Sequence, residues 1–197
     1  MSRRDFKRHM DKELEARVRK MIASSRRKIR LHLKPMVFQA VYDSPEMQSV
    51  RWGQLKIDFG IYTDPTTMIA EAVADSMIIK YTPDINYLAL FTIEIQPRNH
   101  ENLYNLRGAV NISEKGHIVP WLYWLLEEGD WPLISNFGVM YKAGFGVSGG
   151  GFMAPNYNTP FRVAPEYAGV FEDNFISRAL NRNYKKMQDK AWQIYMS

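Results

Sequence analysis

No proline interrupts the chain before Pro35, and residues 1–34 carry 13 Lys and Arg against 4 Asp and Glu. Phe6, Met10, Leu14, Val18, Met21, Ile22 and Ile29 fall near helical spacing within this run. Together these features predict one amphipathic helix over residues 4–33, ended by Pro35, because a 3.6-residue period places such positions on one face. The other face holds Arg3, Arg4, Lys7, Arg8, Arg17, Arg19, Lys20, Arg26, Arg27, Lys28 and Arg30. Such a stripe suits phosphates or an acidic protein surface, and Arg26, Arg27, Lys28 and Arg30 are the candidates; a plain solvated face is the competing reading. An apolar stripe with no Trp and one Phe argues against a membrane-surface helix.

The remaining 163 residues carry 13 basic against 17 acidic side chains, so the net charge of +5 hides a basic appendage, residues 1–34, on a slightly acidic body. That body, residues 35–197, is read as a single domain. At 197 residues with 46% hydrophobic and 13% aromatic content, the chain has enough apolar material for one sizeable core. It has no cysteine, which excludes disulfides, thiolate metal sites and cysteine nucleophiles. No apolar run reaches the roughly 18 residues a membrane span needs, and no signal-peptide pattern follows the basic start, so a soluble protein assembled in the cytoplasm is expected.

Beyond Pro35 the punctuation is dense. Asp43-Ser44-Pro45 reads as a turn or helix start. Leu55, Ile57 and Phe59 alternate with Gln54, Lys56 and Asp58, which predicts a half-buried strand over 52–61. Asp64-Pro65 starts a helix to about Ser76, with Met68, Ile69, Ala72 and Val73 inward. Strands follow at 77–81 and 85–95. Residues 96–117 read as a loop with a short strand at 109–112. Pro120 to Gly129 frames a short helix burying Trp121, Leu122, Leu125 and Leu126. A strand at 133–141 pairs with Phe152-Met153 across a glycine tip. Asp173 caps a final helix whose apolar positions Ile176, Leu180, Tyr184, Met187, Ala191 and Ile194 form a near-heptad stripe for its own sheet or another subunit. The expected fold is α+β: a long N-terminal helix, a mostly antiparallel sheet of four to six strands with packed helices, and a C-terminal helix.

Chemical motifs do not hold up. Gly146-Val147-Ser148-Gly149-Gly150 has the nucleophile-elbow pattern, but Gly151 and Pro155 oppose the helix that must follow the serine. The same run lacks the Gly-Lys-Ser/Thr ending of a phosphate loop. His100-Glu101 and Glu114 with His117 are acid–histidine neighbours in a loop, read as solvated. Glu127-Glu128 at a helix C-terminus opposes the dipole and hints at a cationic partner. The expectation is no catalytic residue, no cofactor and no metal. Instead the segment from Tyr141 to Leu180 joins a glycine tip, a proline-framed extended stretch and a capped helix, a composition suited to contacting other chains. Its interface candidates are Gly149, Gly150, Phe161, Arg162, Tyr167, Phe175 and Arg178, large aromatics and arginines being enriched at interface centres.

The order of blocks carries a resemblance. Trp52-Gly53-Gln54-Leu55-Lys56-Ile57-Asp58-Phe59-Gly60, Val119 to Gly129 (VPWLYWLLEEG), Gly144 to Gly149 (GFGVSG), and Phe161 to Gly169 (FRVAPEYAG) followed by Asn174 to Leu180 (NFISRAL) resemble small virion structural proteins of tailed bacteriophages. The last block is similar to the ending of the neck and tail-completion family; the sequence departs from the family's pattern at Val147, in the Gly144 to Gly149 block, and at Ala164. The resemblance covers residues 45–182. It implies a non-enzymatic protein that forms a ring at the head–tail junction of the virion, allowing DNA to pass. Its implied partners are further copies of itself, the portal or adaptor-side connector, tail or tail-terminator proteins, and genomic DNA in the lumen, with no membrane. A tail terminator or other minor tail protein, and a nucleic-acid-binding module using the basic helix, are the alternatives.

Overall fold

The computed structural model describes residues 3–83, 89–96, 100–112, 118–128, 137–140, 152–155 and 163–196. The fold is α+β and mostly helical, with a long helix at each end of the chain. Helix α1 spans Arg3–Tyr42, α2 Pro45–Trp52, α3 Gln54–Asp58 and α4 Thr66–Asp75. Strands β1 (Ile78–Pro83) and β2 (Ala89–Glu94) form an antiparallel hairpin. Then come α5 (Glu101–Tyr104), the short antiparallel pair β3 (Asn111–Ile112) and β4 (Ile118–Val119), α6 (Trp121–Glu127), the antiparallel pair β5 (Phe137–Met140) and β6 (Phe152–Pro155), and α7 (Phe175–Tyr195). Among the described residues the strands form three separate two-stranded ladders, not one sheet of four to six strands.

Pro35 does not end the first helix, which continues unbroken to Tyr42. A proline inside a helix removes the N–H that would bond the carbonyl four residues earlier. Here that carbonyl belongs to Leu31, and both residues lie on the exposed side of the helix, where the stranded carbonyl is not shut into the core. On the opposite side Ile22, Ser25, Ile29, Leu33, Val37 and Val41 are buried at spacings of three or four. The cut between an appendage and a body at residue 34 therefore falls inside one helix whose inner face is core.

The segment 52–61 is helical, not extended. Leu55, Asp58 and Phe59 are buried at i, i+3 and i+4, so the apparent alternation conceals a helical face. Gly60, at φ 63°, turns the chain out of α3, and Asn111 Nδ2 donates to the carbonyls of Phe59 (2.9 Å) and Gly60 (2.6 Å). Burial pushes the Asp58 carboxyl above its ordinary value of 3.8, while a hydrogen bond from Gln54 Nε2 (2.5 Å) opposes the shift. A folded-state pKa raised above the unfolded one means that ionisation costs more in the fold, so this group lowers stability as pH rises through 3.8 to the folded value. Asp58→Asn keeps the acceptor for Gln54 and should melt higher than wild type at pH 7. In thermal scans from pH 3 to 7 that advantage should shrink below pH 4; an equal gap at every pH refutes the assignment.

Helix α4 forms as expected after Asp64, whose Oδ1 accepts from Thr66 N at 2.9 Å. Its inner face is corrected: Ile69, Ala70, Val73 and Ala74 are buried, whereas Met68 is exposed. Trp121, Leu122, Leu125 and Leu126 are all buried, as α6 was predicted to bury them, and Trp121 Nε1 donates to Gly108 O at 2.9 Å. Phe59 lies against both Trp121 and Trp124, at ring separations of 5.8 and 6.3 Å. Helix α7 begins one residue later than expected. Asn174, not Asp173, is the cap, accepting from the backbone N–H of Ile176 and Ser177 while Ser177 Oγ accepts from Asn174 N, a complete capping box.

Candidate functional site

Helix α7 packs on α1 of the same chain, so the near-heptad stripe finds its neighbour internally. Arg178 at the start of α7 reaches Glu46 just beyond the end of α1, and residues 184–195 share a groove with Ile29 and Leu33. The two helices are therefore antiparallel. Ile176, Met187 and Ile194 are buried in the core, but Tyr184 is 61% exposed and Trp192 62%. Both line the 580 Å³ groove, whose floor is Ile29, Leu33, Ile93 and Ile95.

The block preceding α7 is held by unusually many short-range contacts. Val170 and Asp173 exchange both backbone hydrogen bonds, N to O at 3.0 Å each way. Asn174 Nδ2 donates to Phe171 O (3.0 Å), and Arg178 Nη1 donates to Ala168 O (3.0 Å) and Asp173 O (3.3 Å). A Cβ added to Gly169 would stand 2.8 Å from Asn174 Cα and from Leu125 O, so only glycine lets this turn lie against α6. The outcome is a rigid turn that holds Val170 and Phe171 45% and 40% exposed, beside exposed Glu166, Glu172 and Asp173.

This geometry rearranges the interface candidates. Phe175 is fully buried and belongs to the core. Tyr167 is half-buried against that core. Arg178 is no outward anchor: its Nη2 lies 2.7 Å from Oε1 of Glu46, whose side chain is 2% exposed. Glu46 Oε2 is buried without a hydrogen-bond partner among the described residues, and among them Arg178 is the cation paired with this carboxylate. Gly149, Gly150, Phe161 and Arg162 lie outside the described residues, as does Ser148. The residues that reach solvent, Val170, Phe171 and Glu172, were not singled out from sequence; the signal present was an apolar pair inside a short glycine- and acid-bounded turn.

The basic candidates Arg26, Arg27, Lys28 and Arg30 are all exposed. Arg30 is partly engaged, donating to Asp75 O at 3.2 Å, beside the Lys34–Asp75 ion pair.

His100 is not a solvated loop residue. It is buried, takes a left-handed backbone conformation (φ 49°) at the start of α5, and sets Nδ1 3.2 Å from Glu127 Oε1. Tyr104 Oη donates to the same oxygen at 2.5 Å. Burial, then that hydrogen bond and the charge of Glu127, push the Tyr104 hydroxyl far above the usual phenol value, so it stays a donor. Burial, followed by the charges of Glu128 and Glu127, raises Tyr123 as well. Glu127 thus finds its polar partners within the chain, His100 and Tyr104, which tie α5 to α6. Phe171 packs edge-on to His100, 5.5 Å between ring centres, so the cluster also supports the exposed turn. Among the described residues no group of three His, Asp or Glu side chains is placed to hold a metal ion, and no helix is long and apolar enough to cross a membrane.

No protein-family model, curated protein or solved structure matches the chain.

Proposed function

We propose that this chain is a structural virion protein of a tailed phage, a neck or tail-completion subunit that assembles into a ring joining the head connector to the tail while DNA passes. The block resemblance over residues 45–182 supplies the reading, and the observation that carries it is the turn at 166–173. There, backbone exchange, a glycine packed on α6 and three contacts from Arg178 and Asn174 hold two apolar side chains and their flanking acids out to solvent. Ordering those groups in the free subunit removes a cost that association would otherwise carry. Such a pre-formed apolar knob with an acidic rim has the composition of a contact surface, and closed rings arise when head-to-tail contacts of this kind close by rotation.

Val170→Lys tests the reading, because the side chain is exposed while the backbone bonds it leaves in place hold the turn. The melting temperature should stay within what about 0.5 kcal/mol allows. Sedimentation should show monomers where the wild type forms a ring, and complementation should yield filled heads without tails. A variant that assembles like wild type removes the turn as a contact. Localising the chain in intact virions by cryo-electron microscopy tests the position: density along the tail instead of the junction favours a tail terminator or minor tail protein.

A further inference from the structure

Residues 16–42 and 175–195, which include the packed parts of α1 and α7, contain 13 Lys and Arg and a single acid, Asp189; residues 43–174 contain 8 basic and 16 acidic side chains. The charge separation thus follows the fold, not merely the N-terminus, since α7 lies 130 residues away in sequence and is brought against α1. Arg26, Arg27 and Lys28 are exposed on α1, and Arg182, Lys185 and Lys186 are exposed on α7. Each helix buries its opposite side in the common core, so these six point away from it on adjoining antiparallel helices. Helix α7 is 21 residues long, about 30 Å at 1.5 Å per residue, a length comparable to a turn of duplex DNA.

We infer that the outer surface of the α1–α7 pair is a sequence-independent binding surface for the phosphate backbone of nucleic acid, with α7 contributing as much as α1. This rests on the proposed function only in naming the nucleic acid that such a subunit would meet. Composition decides between nucleic acid and an acidic protein surface. Interface centres between proteins are depleted of lysine and acidic groups and rich in apolar contacts, whereas here the six cations outnumber the exposed large apolar side chains of the described parts of the two helices, Leu31 on α1 and Tyr184 and Trp192 on α7, and the last two line the groove between the helices. Surfaces that bind duplex are polar and strongly positive, and bind by displacing counterions, with no base-reading group required.

The test is binding of full-length protein to a random-sequence 30-base-pair duplex, read by fluorescence anisotropy from 50 to 300 mM salt. If all six cations neutralise phosphates, log affinity should fall against log salt with a slope of about −5, from roughly −0.9 per contact. Arg182→Gln, Lys185→Gln and Lys186→Gln combined should flatten that slope by about 2 to 3, as should the matching triple change at Arg26, Arg27 and Lys28. Each triple variant should keep the wild-type melting temperature, and scrambling the duplex sequence should change nothing. Absence of binding at 50 mM salt overturns the inference, as does a slope that the α7 variant leaves unchanged. Salt-sensitive self-association without duplex binding would assign the face to an acidic protein partner and overturn it too. A ring that fails to bind duplex removes this inference and leaves the proposed function standing; a monomer that binds duplex as described does the reverse.

Discussion

Arg178→Glu should collapse the stability of the isolated subunit before any question of assembly arises. The substitution puts a second carboxylate against Glu46, whose side chain is 2% exposed and whose Oε2 has no hydrogen-bond partner among the described residues. It also removes donors to the carbonyls of Ala168 and Asp173. Breaking one partner of a buried ion pair costs about 3 to 5 kcal/mol, because the charge left behind has lost both water and its counterion. In a chain of this size that corresponds to a melting temperature lower by roughly 6 to 20 °C. Denaturant melts should show the loss at low protein concentration, where association plays no part. Glu46→Gln in the Arg178→Glu background should recover part of it, since the repulsion disappears, and a double-mutant cycle measures the coupling. If Arg178→Glu melts like wild type while losing only assembly, the pair is dispensable to the fold and the arginine is an outward anchor after all.

That pair also shows where sequence reading stops. Glu46 follows Ser44-Pro45 in the first turn of α2, where an acid ordinarily complements the helix dipole and gives no sign of burial. Arg178 is four residues into α7, where a cation is unfavourable to the dipole, which was the one local hint that it must be held by something. The two stand 132 positions apart, and nothing in the sequence between them carries a pattern that links them. Local signals fared better: the Pro120 helix, the paired strands at 78–83 with 89–94 and at 137–140 with 152–155, and the last helix fall within a few residues of where punctuation and periodicity put them. Leu55 and Phe59 misled because residues four apart satisfy both a strand's alternation and a helix's face, and only packing on Trp121 and Trp124 separates the two. Tyr184 and Met68 sit at the edges of their apolar stripes, where periodicity alone cannot distinguish rim from core. Pro35 misled because its cost depends on whether the carbonyl it strands can reach water.

Phe171 and Phe175 lie four residues apart in the same block, and sequence composition gives no reason to treat them differently. Their environments are opposite: Phe175 is fully buried on the first turn of α7, while Phe171 is 40% exposed and leans edge-on against His100. Phe175→Ala should therefore cost about 3 to 5 kcal/mol, the loss of a buried ring plus the cavity that the surrounding helices cannot close. Phe171→Ala should cost only about 1 kcal/mol, near the worth of one aromatic contact. The expected pattern in solution is a crossing of phenotypes. The Phe175 variant should show a sharply lowered denaturant midpoint, yet should regain subunit association once enough folded protein is restored by lower temperature. The Phe171 variant should fold almost normally and fail to associate at any temperature. Unfolding midpoints measured beside sedimentation profiles for both variants decide it, and equal destabilisation of the two would mean that the turn is core and not a contact surface.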